Sequence, residues 1–375
     1  SLTTEDLAMF CKRKGFVFPS SEIYGGMAGF WDFGGFGVEI FNNLKKEWWK
    51  FFIQERSDMV GIEASIISHP KTWEASGHLA SFGDLILECS NEKCGSKLRA
   101  DHFIEDSLKI KADGMKSDEI NQLLKKHNLK CPKCGKDFRE LKSFNLLFKT
   151  SVGAVENSSS VAYLRGETAQ GMFMNFRNIL DSSRVKLPFG IAQVGRCFRN
   201  EIAPRDFLFR SREFNIAEFE FFIHSEEKNC EILDEEHLNV RFKFLDYETQ
   251  EKGLSDLKET TIKEILHRKK LDGWHAYWLA EQIMFFDRIG LDLNKLKVRE
   301  HMKQELSHYS SATFDIDYDF PFGRKEIAGN ANRGQYDLMQ PAKESSEKLD
   351  IFDEASKKRV VPRVIEPTFG MDRIF

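Results

Sequence analysis

Residues 198–222 constrain the fold of this chain more than any other segment. The segment carries too many charges for a buried strand and too many aromatic residues for an irregular loop. One strand-like run enters it, residues 203–206 (Ala-Pro-Arg-Asp) interrupt it, and a second strand-like run returns. The pattern predicts an antiparallel hairpin. Alternate residues of the return strand then share one face, namely Arg210, Arg212, Phe214, Glu218 and Glu220.

Two interpretations of this hairpin follow from its residues alone. Arginine guanidinium groups bind phosphate oxygens, an aromatic ring stacks on a base, and a carboxylate reads the edge of the base. Such a face therefore suits a nucleotide polyphosphate. The alternative is a solvent-exposed hairpin with cross-strand Arg–Glu pairs, each contributing about 0.2–1 kcal/mol. Composition alone favours the exposed hairpin slightly.

The spacing of these residues resembles motif 2 of the class II aminoacyl-tRNA synthetases, with Phe198-Arg199-Asn200-Glu201 followed by Arg210, Phe214 and Glu218. Further short sequence motifs, in chain order, resemble those of the single-chain, homodimeric glycyl-tRNA synthetases. They are GGMAGFWDFG, WEASGH, RADH, FNLLFKT, YLRGETAQG, ANRGQYDL and VIEPTFGMDR. The resemblance extends from Gly25 to Phe375, nearly the whole chain.

The resemblance implies an α+β fold, in which an antiparallel β-sheet flanked by helices forms the catalytic core and carries inserted subdomains. It also implies ATP-dependent ligation of glycine to tRNA(Gly) through glycyl-adenylate, with release of AMP and pyrophosphate. Such chemistry needs positioning and charge neutralisation by arginines and Mg²⁺ rather than a covalent nucleophile. Two alternatives remain open. One is a catalytically silent module that binds nucleotide or tRNA, and the other is a ligase that charges a carrier protein or a free metabolite.

By resemblance, Arg199, Glu201 and Arg373 are the catalytic residues. Arg199 neutralises the α-phosphate, Glu201 reads the amino edge of adenine, and Phe214 stacks on the base. Arg210 and Arg373 hold the bent β,γ-phosphates with Mg²⁺, which the ATP-binding Glu326 and Ile327 are expected to help coordinate. The full expected ATP-binding set is Arg199, Asn200, Glu201, Phe209, Arg210, Phe214, Glu326, Ile327, Gly370 and Arg373.

The resemblance also implies a glycine niche in which Glu167, Glu218 and Glu366 receive the substrate ammonium group. From the residues alone, Glu167 reads more readily as a helix cap. Clustered acids repel one another unless a cation or hydrogen bonds intervene, so we expect an empty niche to be poorly stable. An extra methyl group would collide with its walls, so alanine can be rejected without an editing site. The expected glycine-binding set is Arg99, Glu167, Phe214, Glu218, Arg333, Glu366, Thr368 and Gly370.

The chain departs from the family pattern at two positions. Thr368 stands where the family usually has serine, which keeps the hydroxyl group and adds a methyl group. Asn330 stands at a position that is usually apolar, three residues before Arg333, the arginine expected to face glycine.

Five segments are predicted: residues 1–87 (core with motif 1 and the dimer interface), 88–142 (inserted subdomain), 143–223 (core with motif 2), 224–311 (helical insertion) and 312–375 (core with motif 3). The family's anticodon-binding domain does not follow, so we expect the sequence to be part of a longer protein. In motif 1, a helix over about residues 38–54 is expected to bury Trp48, Trp49, Phe51 and Phe52 in a homodimer interface. Packing of these rings within one subunit is equally compatible with the pattern.

Seven cysteines, an odd number, together with the lack of a secretory leader argue for reduced thiols. Cys89 and Cys94 form a Cys-x₄-Cys pair, and Cys131 and Cys134 form a Cys-x₂-Cys pair. These pairs suit a tetrahedral zinc site, with four free thiols as the alternative. The lysine-rich segment between the two cysteine pairs either contacts the tRNA acceptor arm or forms a solvated surface.

The chain has 375 residues, a formal net charge of −4 and 41% hydrophobic residues, which permits a sizeable core. A nearly balanced charge means that a nucleic acid must be held by local basic patches. No apolar run approaches the roughly 18–20 residues of a membrane span, so we expect a cytoplasmic protein without a membrane partner.

Overall fold

The computed structural model of the chain describes residues 2–110, 112, 115–155, 157–306 and 310–375. Lys111, in the lysine-rich stretch expected to face tRNA, lies outside the described residues. The strands are β1 (Val17–Pro19), β2 (Trp31–Phe33), β3 (Met59–Gly61), β4 (Ile67–Ser68), β5 (Gly83–Glu88), β6 (Lys97–Arg99), β7 (Lys142–Asn145), β8 (Lys149–Ser151), β9 (Val161–Leu164), β10 (Phe189–Phe198), β11 (Glu213–Ile223), β12 (Arg241–Leu245), β13 (Lys258–Thr261), β14 (Leu296–Glu300), β15 (Ala312–Phe320), β16 (Gly323–Gly334), β17 (Ile351–Asp353), β18 (Lys358–Val360) and β19 (Arg363–Gly370).

The helices are α1 (Thr4–Arg13), α2 (Gly35–Trp49), α3 (Pro70–Ala75), α4 (His78–Ser81), α5 (Ala100–Leu108), α6 (Ser117–Lys126), α7 (Ala169–Met174), α8 (Phe176–Ser183), α9 (Glu235–Leu238), α10 (Tyr247–Glu251), α11 (Ile262–His267), α12 (Gly273–Arg288), α13 (Tyr336–Ser345) and α14 (Met371–Ile374). A π-helical segment, Lys50–Gln54, extends α2. None of the helices in the described ranges combines the length and the apolar character needed to cross a lipid bilayer.

A large sheet forms the centre of the fold, with strand order β13-β12-β14-β15-β16-β19-β11-β10-β3 in the described residues. Its neighbouring strands run antiparallel except for the pairs β10–β3 and β12–β14, which are parallel. Helices pack on this sheet, so the expectation of an α+β fold with an antiparallel sheet flanked by helices is confirmed.

The predicted hairpin is β10 and β11, paired from Phe198↔Glu213 to Phe189↔Phe222. Because side chains alternate along a strand, Phe219 and Phe221 point away from Glu218 and Glu220. Both phenylalanines are fully buried and contact Trp278 of α12, with ring centroids 4.6 and 4.8 Å apart. One face of β11 therefore belongs to the hydrophobic core, which leaves the other face for polar residues.

The aromatic residues of the motif 1 region belong to this core. Trp48 and Phe52 have 0% exposure in the single chain, and both contact Phe219 and Phe369. Trp49 and Phe51 are partly buried against the same cluster. The expectation that a partner subunit buries these rings is therefore wrong for Trp48 and Phe52, because the central sheet already covers them.

A smaller layer holds the four clustered cysteines. Its sheet has the order β6-β5-β7 and begins at Gly83, a few residues before the predicted segment 88–142. Helices α5 and α6 share its core, which contains Leu87, Ile104 and Ile120. The Cys-x₄-Cys pair lies in the turn between β5 and β6, so the cysteines stand at the tip of a hairpin.

The segment 224–311 differs from its description as a helical insertion. It contributes β12, β13 and β14 to one end of the large sheet, and α12 to the core beneath that sheet. Its aromatic residues Trp274, Tyr277 and Trp278 are at most 5% exposed and belong to the hydrophobic core. These strands are only four or five residues long and carry charged residues, so their period-two pattern was too short to be read from the sequence.

Candidate active site

A cavity of about 350 Å³ opens beside the β10–β11 hairpin. It is lined by most of the expected ATP-binding residues, namely Arg199, Glu201, Phe209, Arg210, Phe214, Glu326, Gly370 and Arg373. Eight further residues line the cavity and were not expected from the sequence. They are Arg205, Asp206, Leu208, Ser211, Asn215, Arg324, Lys325 and Asp372. Residues from the hairpin, β16 and α14 thus form one site.

Arg199 and Arg373 reach this cavity from segments that are far apart in the sequence. Arg199 directly follows β10, and its Nε donates to the carbonyl oxygen of Gly166 at 3.1 Å. Arg373 lies in α14, where its Nη1 donates to the carbonyl oxygen of Glu326 at 2.9 Å. The Oε2 atom of Glu326 lies 3.4 Å from the same nitrogen. Two guanidinium groups that converge on one cavity suit a polyphosphate ligand.

Arg210 is held between two side chains. Its Nε lies 3.0 Å from Oε2 of Glu201, and its Nη1 donates to Nε2 of His102 at 2.7 Å. His102 comes from α5 in the cysteine-bearing layer. Burial, Arg210 and Arg99 lower the pKa of His102 to about 3, so the ring is neutral and able to accept this hydrogen bond.

The ring of Phe214 has a cation above it. The guanidinium carbon of Arg199 lies 5.3 Å from the centre of this ring, and also 5.3 Å from the ring of Phe82. Such cation–π contacts orient the arginine side chain. Stacking of adenine on Phe214 stays a prediction.

Asp372 connects α14 to the hairpin. Its carboxylate accepts hydrogen bonds from the main-chain nitrogen of Asn215 at 2.9 Å and from Nδ2 of the same residue at 3.0 Å. Burial raises the pKa of Asp372 to about 6. The contact fixes the helix that carries Arg373, and the sequence pattern gave no sign of it beyond the word GMDR.

Three residues of the expected ligand-binding sets, Asn200, Ile327 and Arg99, are not among those that line this cavity. The main-chain nitrogen of Asn200 donates to the carbonyl oxygen of Leu146 at 2.7 Å. Ile327 is 1% exposed and belongs to the core, so its side chain cannot contact ATP and only its main chain remains available. Arg99 pairs with Asp84 at 3.2 Å and with Asp101 at 2.6 Å. Its role in binding glycine stays a prediction.

The three carboxylates of the expected glycine niche lie together. Oγ1 of Thr368 donates to Oε1 of Glu366 at 3.3 Å and approaches Oε1 of Glu218 at 3.5 Å. Glu218 and Thr368 are direct partners in the β11–β19 register, which explains their contact. Glu167 stands just before α7, where Oε2 lies 3.2 Å from Nε2 of His78. Thr168 occupies the cap position of that helix, so Glu167 is not its cap.

Arg333 is the cation that these acids require. It is 1% exposed, and its Nη1 lies 2.5 Å from Oε2 of Glu366. Its Nε lies 2.7 Å from Oδ2 of Asp337, and its Nη2 lies 3.8 Å from Oε1 of Glu167. A single buried guanidinium group thus joins three carboxylates.

The carboxyl groups of the niche differ in charge state. Burial alone would raise the pKa of Glu167, but His78 and Arg333 lower it below its usual value. Burial and the nearby Glu167 raise the pKa of Glu218, which accepts hydrogen bonds from the main chain and hydroxyl of Thr168. The pKa of Glu366 is raised to about 8 by burial and by the nearby Glu218 and Glu167. Arg333 lowers this pKa, but its effect is smaller.

Glu220 is a further carboxyl group of this niche. It is 0% exposed, and neither carboxyl oxygen has a hydrogen-bond partner among the described residues. Burial and the neighbouring Glu366 raise its pKa well above the usual value. Burial without a hydrogen-bond partner therefore favours the neutral form of the Glu220 carboxyl group.

Other residues of the niche lie in the words that carry the family resemblance but were not singled out. They are His78 in WEASGH, Gln170 in RGETAQG and Asp337 in ANRGQYDL. The structure also explains Asn330. Its Nδ2 donates to Oε1 of Gln282 in α12 at 2.9 Å, so the polar residue has a buried polar partner.

The glycine-rich words near the N-terminus serve turns and close packing. Gly29 has φ +80°, and a Cβ atom there would lie 2.8 Å from Cβ of Pro204 in the loop of the hairpin. The main-chain nitrogen of Arg212 donates to the carbonyl oxygen of Gly29 at 2.7 Å. This turn therefore supports the hairpin, and its positive φ explains why a glycine stands there.

The four clustered cysteines converge at the tip of the β5–β6 hairpin. Their Sγ atoms all lie within 4.8 Å of one another, and those of Cys94 and Cys131 are 3.8 Å apart. Tetrahedral Zn–S bonds of about 2.3 Å place sulfur atoms about 3.8 Å apart. Burial raises the pKa of Cys131, but the N–H groups of Lys133 and Cys134 outweigh it and bring the pKa to about 6. A thiolate is the form that binds metal.

The chain is similar in sequence to curated glycine–tRNA ligases. It is 42% identical over 378 residues to the enzyme of Geobacillus thermodenitrificans strain NG80-2, covering 99% of this chain and 72% of that protein. It is 41% identical over 379 residues to the enzyme of Caldanaerobacter subterraneus subsp. tengcongensis, covering 100% of this chain and 72% of that protein. No protein-family model matches the chain.

The fold is similar to that of a prolyl-tRNA synthetase from Cryptosporidium parvum. The TM-score is 0.54 at 11% sequence identity, and the match covers 97% of this chain and 49% of the solved one. At this identity the likeness concerns the fold alone. The two proteins therefore share a fold over nearly the whole of this chain.

Proposed function

Since the chain belongs to the glycine–tRNA ligase family, we propose that it ligates glycine to tRNA(Gly) in two steps. The glycine carboxylate attacks the α-phosphate of ATP and displaces pyrophosphate. The terminal ribose hydroxyl of the tRNA then takes the glycyl group from the adenylate and releases AMP. The observation that carries this proposal is one site in which Arg199 and Arg373 line a cavity next to a buried carboxylate niche.

The residues of the cavity act on ATP by charge and position. Arg199 neutralises the α-phosphate as negative charge develops, and Arg210 and Arg373 hold the β,γ-phosphates. Phe214 and Glu201 recognise the adenine. Glu326 is half-exposed at the cavity, and carboxylate oxygens are the ligands that Mg²⁺ prefers in proteins.

Glycine enters the carboxylate niche through its ammonium group. Glu218 lies four residues beyond Phe214 on the same face of β11, a separation of about 13 Å along the strand. That offset supports a binding mode in which the amine lies among Glu167, Glu218 and Glu366 and the carboxylate of glycine points toward Arg199. The methyl group of Thr368 narrows the niche further against larger amino acids.

Glycine-dependent exchange of radioactive pyrophosphate into ATP tests the proposed function directly. We expect exchange with glycine, and at least about 100-fold less with alanine or serine, because a rigid wall rejects an added group. Charging of purified tRNA(Gly) by the natural full-length protein distinguishes a tRNA ligase from a ligase of carrier proteins or metabolites. Binding of ATP without any exchange would instead support a silent nucleotide-binding module.

We propose that the four cysteines hold a structural zinc ion, because their Sγ atoms all lie within 4.8 Å of one another. Metal analysis of the purified protein is expected to give about one zinc per chain. The double substitution Cys131→Ser and Cys134→Ser should remove the metal and open residues 83–145 to proteolysis, since metal binding is coupled to folding. The control Cys230→Ser, outside the cluster, should keep the zinc. An unchanged metal content in the double variant would contradict the site.

We also propose that the protein forms a homodimer in the cytoplasm. The first forty residues expose large apolar side chains, among them Ile23 (86%), Tyr24 (87%) and Phe36 (70%). Exposure of this kind is typical of association surfaces. The combined substitutions Tyr24→Asp and Phe36→Asp are expected to shift the protein from dimer to monomer in sedimentation velocity. The control Val155→Asp alters a residue that is 68% exposed elsewhere, and it should leave the dimer unchanged.

A further inference from the structure

The side chain of His102 connects two parts of the molecule that the proposed function treats separately. It belongs to α5, in the layer that holds the cysteines, and its Nε2 accepts a hydrogen bond of 2.7 Å from Arg210. Arg210 lines the nucleotide cavity and has Glu201 as its other partner, at 3.0 Å. The direction in which Arg210 points therefore depends on a residue from outside the hairpin.

The start of α5 is fixed by the β5–β6 hairpin. Arg99, the last residue of β6, pairs in register with Ile86 of β5 and forms ion pairs with Asp84 and Asp101. Oδ1 of Asp101 accepts a hydrogen bond of 2.8 Å from the main-chain nitrogen of His102. His102 thus belongs to a short segment that begins where β6 ends and is held by the ion pairs of Arg99 and the hydrogen bond to Asp101.

The other end of the same hairpin is closed by the cysteines. Cys89 directly follows β5, and its main-chain nitrogen donates to the carbonyl oxygen of Ser96 at 2.9 Å, just before β6 begins. Cys131 and Cys134 face this turn, with Cys134 Sγ 3.4 Å from Cys89 Sγ. A metal ion bound here would join all four sulfur atoms, and would hold β5 and β6 in one arrangement.

We propose that His102 is a positioning residue for Arg210, and that metal bound to the four cysteines stiffens this contact and thereby tightens binding of the ATP triphosphate. The inference rests on the proposed function for the role of Arg210. It extends that function by coupling the cysteine cluster to one end of the nucleotide. Arg210 would hold the β,γ-phosphates, so AMP, which lacks them, is the diagnostic ligand.

The first test compares His102→Ala with His102→Gln by calorimetric titration of ATP–Mg²⁺ and of AMP, without glycine. His102→Ala is expected to weaken ATP binding about tenfold, because a hydrogen bond to a charged group is lost, and to leave AMP binding unchanged. Glutamine offers an acceptor oxygen and should restore most of the affinity. Ser107→Ala, an exposed position on the same helix, is the matched control. An equal loss for ATP and AMP, or unchanged ATP binding, would overturn the proposal.

The second test removes the metal. Chelation of the wild-type protein, or Cys94→Ser, is expected to weaken ATP binding by a similar factor and to spare AMP. In the His102→Ala background the same treatment should have no further effect, since the connecting contact is already gone. Full additivity of the two losses would refute the coupling. Binding of ATP does not require the ligase reaction, so a protein that shows this pattern but no glycine-dependent exchange would disprove the proposed function and not this inference.

Discussion

Replacing Arg199 with alanine is expected to lower glycine-dependent ATP–pyrophosphate exchange about 10²–10³-fold while leaving the fold intact. Removing one preorganised donor from a developing negative charge typically has an effect of this size. Arg199 is only partly buried, and its hydrogen bond to Gly166 is to a main-chain carbonyl group, so its loss leaves no charge unpaired. Steady-state exchange, with circular dichroism to confirm folding, measures both parts of the prediction.

The matched control for this substitution is Arg196→Ala. Arg196 lies three residues earlier at the same strand, is exposed and pairs with Glu213 at 2.6 Å. Exposed pairs of this kind contribute about 0–1 kcal/mol, so activity and stability should hardly change. If Arg199→Ala retained normal exchange, or if both variants lost it equally, the assignment of Arg199 to the α-phosphate would fail.

Replacing Arg333 with methionine is expected to cost about 3–5 kcal/mol of unfolding free energy, because it leaves buried carboxylates without their cation. Glu366, Asp337 and Glu167 all lie within 3.8 Å of the guanidinium group in the intact niche. Glycine binding should be lost with it. Urea denaturation measures the change in stability, and glycine-dependent exchange measures the loss of function.

Electrostatics and packing can be separated in this variant. Glu366 is ionised only above about pH 8, so adding Glu366→Gln to Arg333→Met should restore part of the stability at pH 9 and little at pH 6. A packing defect would be relieved at neither pH. The folded-state pKa of Glu366 is raised to about 8, so the folded protein takes up a proton that the unfolded chain has released. Stability from this group is therefore greatest at low pH and declines as pH rises toward 8. Arg333 lowers the pKa of Glu366, so the stability deficit of Arg333→Met should be larger at pH 9 than at pH 6, where Glu366 is neutral in both proteins.

A surface arginine provides the control for the stability measurement. Arg288 pairs with Glu55 at 2.8 Å, and its side chain is 31% exposed. Arg288→Met should therefore change the unfolding free energy by no more than about 1 kcal/mol. A similar large loss in both variants would show that burial of Arg333 is not the cause.

The fold class could be predicted, and most residues of the expected ATP-binding set do line one cavity, because they lie in short motifs with fixed spacing. Their roles in binding stay predictions. The period-two pattern of β11 placed Phe214, Glu218 and Glu220 on one face, and the strand has that arrangement. Contacts between distant elements could not be predicted in this way. Nothing in the sequence links His102 to Arg210 or Asn330 to Gln282, since each pair forms only when separate segments pack together.

The expected burial of Trp48 and Phe52 failed for a related reason. An apolar stripe on a helix shows that something covers it, but the sequence does not tell whether the cover is the same chain or a second one. Here the central sheet covers it. The segment 224–311 was likewise described as an insertion because its short strands complete a sheet whose other members lie far away in the chain.

The alternation of residues along β11 fixes a length as well as a face. Phe214 and Glu218 belong to one extended strand, which is paired with β10 at both residues and with β19 from Ile216 onward. With the proposed roles of Phe214 and Glu218, the spacing between base and amine therefore cannot adjust to the ligand. An amino acid with one more methylene between its two charged ends, such as β-alanine, would seat its ammonium group and then carry its carboxylate past the α-phosphate. The fixed spacing of residues along β11 would therefore disfavour amino acids whose amino and carboxyl groups are farther apart than in glycine.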